Sequence, residues 1–185
     1  MKKIAVYSVY DEIQYFEESL KSIRDKVDLI VVIDGAYKKY PHKYPFSTDK
    51  TLLVANKYAD KVIETAEPWK NEIFKRNQYL IGKPGDIYIQ LDGHEIWSGD
   101  LIPPFGNYKI RMKMKDGWHK FFRMFEHQAG LHYQRRHYEL WAKDKCIGND
   151  FPVYPHGYII HKDVDYSKER ILARKKYFST KSFDN

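Results

Sequence analysis

The chain has 185 residues, 43% hydrophobic, 31% charged and 16% aromatic, which suits one folded domain with a sizeable core and excludes an acidic, aromatic-poor disordered chain. A single cysteine, Cys146, excludes an internal disulfide framework and a Cys-pair zinc or redox site, so a reducing, cytoplasmic setting is expected. The net charge of +7 is regional: residues 1–100 carry 15 Lys/Arg against 16 Asp/Glu, and residues 101–145 carry 10 against 4, which puts any surface for an anionic partner in the middle-to-late part of the chain.

In chain order, Met1-Lys2-Lys3 leads into an apolar stretch that Ser8, Asp11 and Glu12 interrupt, so no secretion signal is expected. The longest aliphatic run, Leu29 to Ile33, is far shorter than the ~20 residues of a membrane-spanning helix, and a soluble chain is expected. Ile4 to Val9 reads as a strand, and Asp11 is expected to cap a helix whose Ile13, Phe16, Leu20 and Ile23 share one face. Leu29 to Ile33 reads as a strand covered on both faces and ends at Asp34-Gly35. Pro41 and Pro45 make 36–48 a loop, Lys50 to Ala59 a helix and Lys61 to Glu64 a short strand. A helix is expected from Pro68 through Trp69, Ile73, Phe74, Asn77 and Leu80 to Gly82, followed by a strand from Asp86 to Leu91.

This βα alternation predicts an open α/β sheet, with its ligand beyond the carboxyl ends of the strands, where Asp34 and Asp92 lie. From Tyr108 to Lys115 apolar and basic residues alternate, as in an antiparallel strand with one buried face; Phe121 to Phe125 reads as another. Gly157 to Ile160 is strand-like, and Lys168 to Phe178 is a basic helix.

Asp92-Gly93-His94-Glu95 directly follows a buried strand. In an extended turn, residues two apart face one side, so Asp92 and His94 can offer a carboxylate oxygen and an imidazole nitrogen to a divalent cation, with Gly93 leaving room for a phosphate. The alternative is a loop with an incidental acid and histidine. His161 divides evenly between metal ligand and structural histidine, and Arg135-Arg136 between diphosphate neutralisation and an ordinary basic turn. Core packing is the default for Trp69, Trp97, Trp118 and Trp141, with stacking on a base or sugar as the alternative.

Gly85 to Glu95 resembles the segment of GT-A glycosyltransferases, especially family 2, in which Gly-Asp leads a hydrophobic strand into Asp-x-Asp-Glu. Asn71 to Asn77 is similar to the family's helix with an Arg-Asn pair, and Val31 to Gly35 to its Val-Val-Asp-Asp-Gly strand end. Phe121 to Phe125, Gly130 to Tyr133, His137 to Glu139, and His161 with Arg170 resemble later elements in the same order. The likeness covers most of residues 3–178. It departs where the family's second aspartate is His94, and where Tyr138 interrupts the His-Glu pair.

The resemblance implies a Rossmann-like mixed α/β sheet of GT-A type with flanking helices, in a single domain: 1–100 the nucleotide-binding half, 101–185 the acceptor-side half. It implies metal-dependent, inverting transfer of a sugar from a nucleotide-diphosphate donor to an acceptor hydroxyl on a glycan, protein or lipid headgroup. Asp34, Arg76 and Asp92 would bind the donor; Asp92, His94 and His161 would hold Mn²⁺ or Mg²⁺. Glu139 would be the base, with Glu95 and Asp144 in reserve. Two other classes stay open. A nucleotidyltransferase could use such a sheet, although Tyr7 to Asp11 has no Gly-rich phosphate loop. A non-catalytic nucleic-acid-binding domain would use the basic middle segment with its aromatics.

Overall fold

The structure, a computed structural model, describes residues 1–38, 40, 43–134, 139–147 and 150–179. Strands β1 (Lys3–Val9), β2 (Leu29–Asp34), β3 (Lys61–Ile63) and β4 (Ile87–Leu91) alternate with helices α1 (Ile13–Arg24), α2 (Thr51–Tyr58) and α3 (Glu72–Asn77). Then follow β5 (Glu95–Gly99), β6 (Tyr108–Met114), β7 (Gly117–Glu126), β8 (Leu131–Tyr133), β9 (Leu140–Ala142), β10 (Lys145–Cys146), β11 (Val153–His161) and α4 (Lys168–Ser179).

The main sheet has eight strands in the order β3-β2-β1-β4-β7-β6-β11-β5. Strands β3, β2, β1 and β4 are parallel, β7 is antiparallel to β4 and β6, and β5 antiparallel to β11. This is the mixed α/β sheet with flanking helices that the sequence leads one to expect. Ile4 to Val6 and Ile30 to Ile33 are buried because both sheet faces are covered. One core takes Ala5, Tyr7 and Val9 with Phe16, Leu20 and Ile23 of α1. The other takes Ile4 and Val6 with Tyr79, Tyr88, Phe125 and Tyr133 beside α3. Each such aliphatic side chain contributes roughly 1.5–3 kcal/mol by leaving water.

Several elements differ from expectation. Asp11 does not cap α1: it adopts φ 48°, and its Oδ1 accepts from the Thr48 amide at 2.8 Å. The free amides at the start of α1 are met instead from the entry into α2, Glu12 N by Thr51 Oγ1 (2.9 Å) and Ile13 N by Asp49 Oδ2 (3.2 Å). Helix α3 is shorter than its periodicity suggests. Asn71 caps it through the Phe74 amide at 2.8 Å, and the preceding Trp69 forms a parallel bridge with Tyr37. Strand β5 has no counterpart among the elements expected from the sequence. It is held by long-range pairing with β11 and by α1, whose Ser19 hydroxyl donates to the Glu95 carbonyl (2.5 Å) and whose Ser22 hydroxyl accepts from the Trp97 amide (3.0 Å). The small sheet β10-β9-β8 is likewise unannounced by periodicity, its strands having two or three residues each.

Candidate functional site

Strand order reverses at β1: β2 and β3 lie to one side, β4 to the other. In open α/β sheets the crevice beyond such a reversal is where ligands bind. A cavity of about 140 Å³ lies there. Its walls are the ends of β1 and β2 (Val9, Tyr10, Gly35, Ala36), the buried side of α3 (Glu72, Lys75, Arg76), the Asp92-Gly93-His94 turn after β4, and Arg170 of α4.

Lys75 forms the floor. Its Nζ donates to the carbonyls of Val9 and Gly35, both at 2.7 Å, and so ties the ends of β1 and β2 together. Burial pulls its amine down to about 7, against the opposing pull of Asp34. Arg76, also buried, pairs with Glu72 at 2.9 Å one helical turn earlier. With the Gln90 amide oriented so that its oxygen accepts from Arg76 Nη1 (2.7 Å) and Arg123 Nη1 (2.6 Å), its nitrogen donates to the Tyr133 hydroxyl at 3.1 Å. A polar chain therefore runs under the cavity from α3 through β4 to β7.

Arg123 is a third buried cation. Its Nη2 donates to Asp92 Oδ2 at 3.0 Å and to Glu95 Oε1 at 2.8 Å. Burial alone would raise the Asp92 carboxyl, but Arg123, Arg76 and His94 override it and hold Asp92 well below the usual carboxylate range. Glu95 is more deeply enclosed, and burial pushes its carboxyl up despite Arg123. Its other oxygen accepts from the Asp92 amide at 2.9 Å, so Glu95 shapes the turn and, being fully buried, cannot reach an acceptor.

Asp92 and His94 both line the cavity. The antiparallel pairing of Glu95 with His161 sets His161 beside this turn, and the Nε2 atoms of His94 and His161 face each other at 3.1 Å. Glu12 receives His94 Nδ1 at 3.2 Å. Burial lowers the His161 imidazole, and His94 adds to this; His94 itself is raised, its burial outweighed by Glu12 and the acids around it. Among the described residues no group of three or more His, Cys, Asp and Glu side chains is arranged to hold a metal ion. Two converging imidazole nitrogens, one backed by a carboxylate, nevertheless fit a site whose remaining positions come from a ligand. Gly93 lines the cavity, and a Cβ there would stand 2.9 Å from Glu12 Cβ, so the turn packs closely against the start of α1.

Helix α4 closes one side. Arg170 donates to the carbonyls of Asp11 and Tyr10, both at 2.6 Å, and to Glu12 at 3.1 Å. Tyr177 stacks on Tyr37 with ring centroids 5.7 Å apart.

Other expected residues lie differently. The Asp34 carboxylate is buried and turned away from the cavity, accepting from both the amide and the hydroxyl of Ser47. Only its neighbours Gly35 and Ala36 face the cavity. Glu139 is half-buried at the start of β9, where its carbonyl accepts from the Gln134 amide at 3.1 Å, and it is not part of the cavity wall. Asp144 is exposed in the turn after β9. Arg135, Arg136, His137 and Tyr138 lie outside the described residues.

Sequence reasoning gave no role to Glu12 and met Lys75, Gln90 and Arg123 only inside motifs. The signal for two of them was present: Gln90 is the one polar side chain able to pair by charge or amide in IYIQL, and Arg123 interrupts the apolar run from Phe121 to Phe125.

No family model and no curated protein matches the chain. Among solved structures it is similar to TarS of S. aureus. The match to TarS 1–349 in complex with UDP has a TM-score of 0.45 and 21% identity over 62% of this chain and 36% of that one. The complex with UDP-GlcNAc gives 0.41 and 22% over 53% and 28%, and a further TarS structure 0.42 and 20% over 62% and 22%. The chain thus spans about a third or less of the TarS chains it matches.

Proposed function

We propose that this chain transfers a sugar, with inversion, from a nucleoside diphosphate donor held in the cavity to an acceptor hydroxyl. The observation that carries the reading is the Asp92-Gly93-His94 turn standing at the switch point of the sheet, with His161 of β11 brought against His94. The sequence resemblance assigns donor binding to these same positions.

In this reading Asp92, His94 and His161 would hold Mn²⁺ or Mg²⁺. When bound, the cation supplies positive charge to the diphosphate as it departs. The protein's own groups do the rest. Arg123 keeps Asp92 ionised and pointed, Glu12 fixes the His94 ring, and Arg76 and Lys75 present positive charge from the floor. Asp34 acts through Ser47, holding the loop before α2 around the nucleoside side. Glu139 takes the acceptor proton from the side where β8 and β9 pack near α3, tied there by the Tyr133 amide donating to Asn77 at 2.6 Å.

UDP is the first probe, because it occupies a TarS structure. Calorimetry with Mn²⁺ and with chelator is expected to give at least roughly tenfold tighter UDP or GDP binding with the metal, and Asp92→Asn should remove that difference. Equal affinities under both conditions, or no nucleoside diphosphate binding at all, would overturn the reading.

A further inference from the structure

The β6–β7 hairpin does more than complete the sheet. Ile89 of β4 pairs with Met124, and β4 ends two residues later at Leu91, whereas β7 reaches back to Gly117. The hairpin therefore overhangs the carboxyl end of β4, where the cavity lies, by a length on the order of 15 Å.

Cross-strand pairing puts Arg111 opposite Lys120 and Lys113 opposite Trp118, and strand alternation turns all four to one face. Tyr158, paired with Arg111 across β11, joins them, its ring 5.3 Å from that of Trp118. Phe122 lies on the same face and packs into the core beside α3, so this is the side on which α3 lines the cavity.

The face is open. Trp118 is 57% exposed, and Arg111, Lys113 and Lys120 are exposed too. The acid of the turn, Asp116, is paired with His119 at 3.0 Å, and among the described residues no acid is paired with the three cations. Arg111 lies over the Trp118 ring at 5.8 Å, which holds the indole steady while leaving most of it bare.

Resting on the proposed sugar transfer, we propose that this hairpin face binds the acceptor, and that the acceptor is an anionic saccharide chain. A sugar ring would lie on Trp118 and Tyr158, and phosphate or carboxylate groups along the chain would meet Arg111, Lys113 and Lys120. The overhang would lead the chain's end toward the donor cavity. A neutral acceptor would leave three cations idle.

Trp118 provides the readout. Fluorescence titration with polygalacturonate, phosphomannan, neutral mannan and a 20-nucleotide oligo-dT separates the sources of charge. Either anionic polysaccharide is expected to quench the signal, the stronger of the two identifying carboxylate or phosphate; neutral mannan should bind at least roughly tenfold more weakly. Salt should weaken binding. The R111Q/K113Q/K120Q variant should lose roughly tenfold or more in affinity, and W118A should lose binding measured by calorimetry, while UDP binding in the cavity is unchanged in both. Tighter binding of oligo-dT than of either polysaccharide would overturn the proposal in favour of a nucleic-acid surface. Unchanged polysaccharide affinity in the variants, or no polysaccharide binding by the wild type, would overturn it outright. Absent UDP binding beside intact polysaccharide binding would instead remove the donor reading and leave the surface standing.

Discussion

The Nε2 atoms of His94 and His161 face each other at 3.1 Å, with ring planes at 86° and Glu12 on the far nitrogen of His94. The two residues are 67 positions apart and meet only because β5 and β11 pair at the edge of the sheet. If they act as a pair toward a cation, then His94→Ala and His161→Ala should each remove the metal-dependent part of nucleoside diphosphate binding. Electron paramagnetic resonance of Mn²⁺ with UDP checks this directly. A bound-metal signal of wild-type strength in both variants would assign the histidines to structure alone.

Lys75 makes stability depend on pH. Its amine sits at about 7 in the folded chain and near 10.4 in an unfolded one, so between these values the unfolded state binds more protons. Stability is therefore expected to rise with pH above 7, by about 3 kcal/mol at most before pH 9.5. The urea midpoint of wild type minus that of Lys75→Met, followed from pH 7 to 9.5, isolates this contribution. A difference that stays flat or falls would contradict a buried amine with a lowered pKa.

Arg123 supports two carboxylates at once, the buried Glu95 and the partly exposed Asp92. Arg123→Met leaves Asp92 and Glu95 without their cation, which should cost about 3–5 kcal/mol and lower Tm by roughly 10 °C. Adding Glu95→Gln removes one orphaned charge and should recover part of the loss. Thermal unfolding of the three proteins tests it; an unchanged Tm in the single variant would mean that the pairs contribute nothing net.

Glu139 as base has its own test. Glu139→Gln keeps size and hydrogen bonding and loses basicity, so if the chain transfers sugar as proposed, the transfer rate should fall by ~10²–10⁴ while nucleoside diphosphate affinity holds. Transfer at the wild-type rate would make Glu139 a structural residue of the β8–β9 connection.

The sequence by itself determined the parallel half of the sheet. The apolar runs of β1, β2 and β4 carry their own length and period, and Asp92 stands at a strand end because β4 stops there. The amphipathic alternation of β6 was legible for the same reason: burial on one face writes a two-residue period into the chain. What stayed hidden was every feature made by contact between distant segments. Strand β5 carries no pattern distinguishing it from a loop until β11 lies beside it, and β8 to β10 are too short to show one. The capping of α1 comes from Asp49 and Thr51, not from its own first turn. Glu12 meets Arg170 across 158 positions. Only tertiary structure could decide which acid Arg123 holds, which histidine faces His94 and which way Asp34 turns. A buried polar group must find a partner, and the partner is whichever residue the packing of strands delivers.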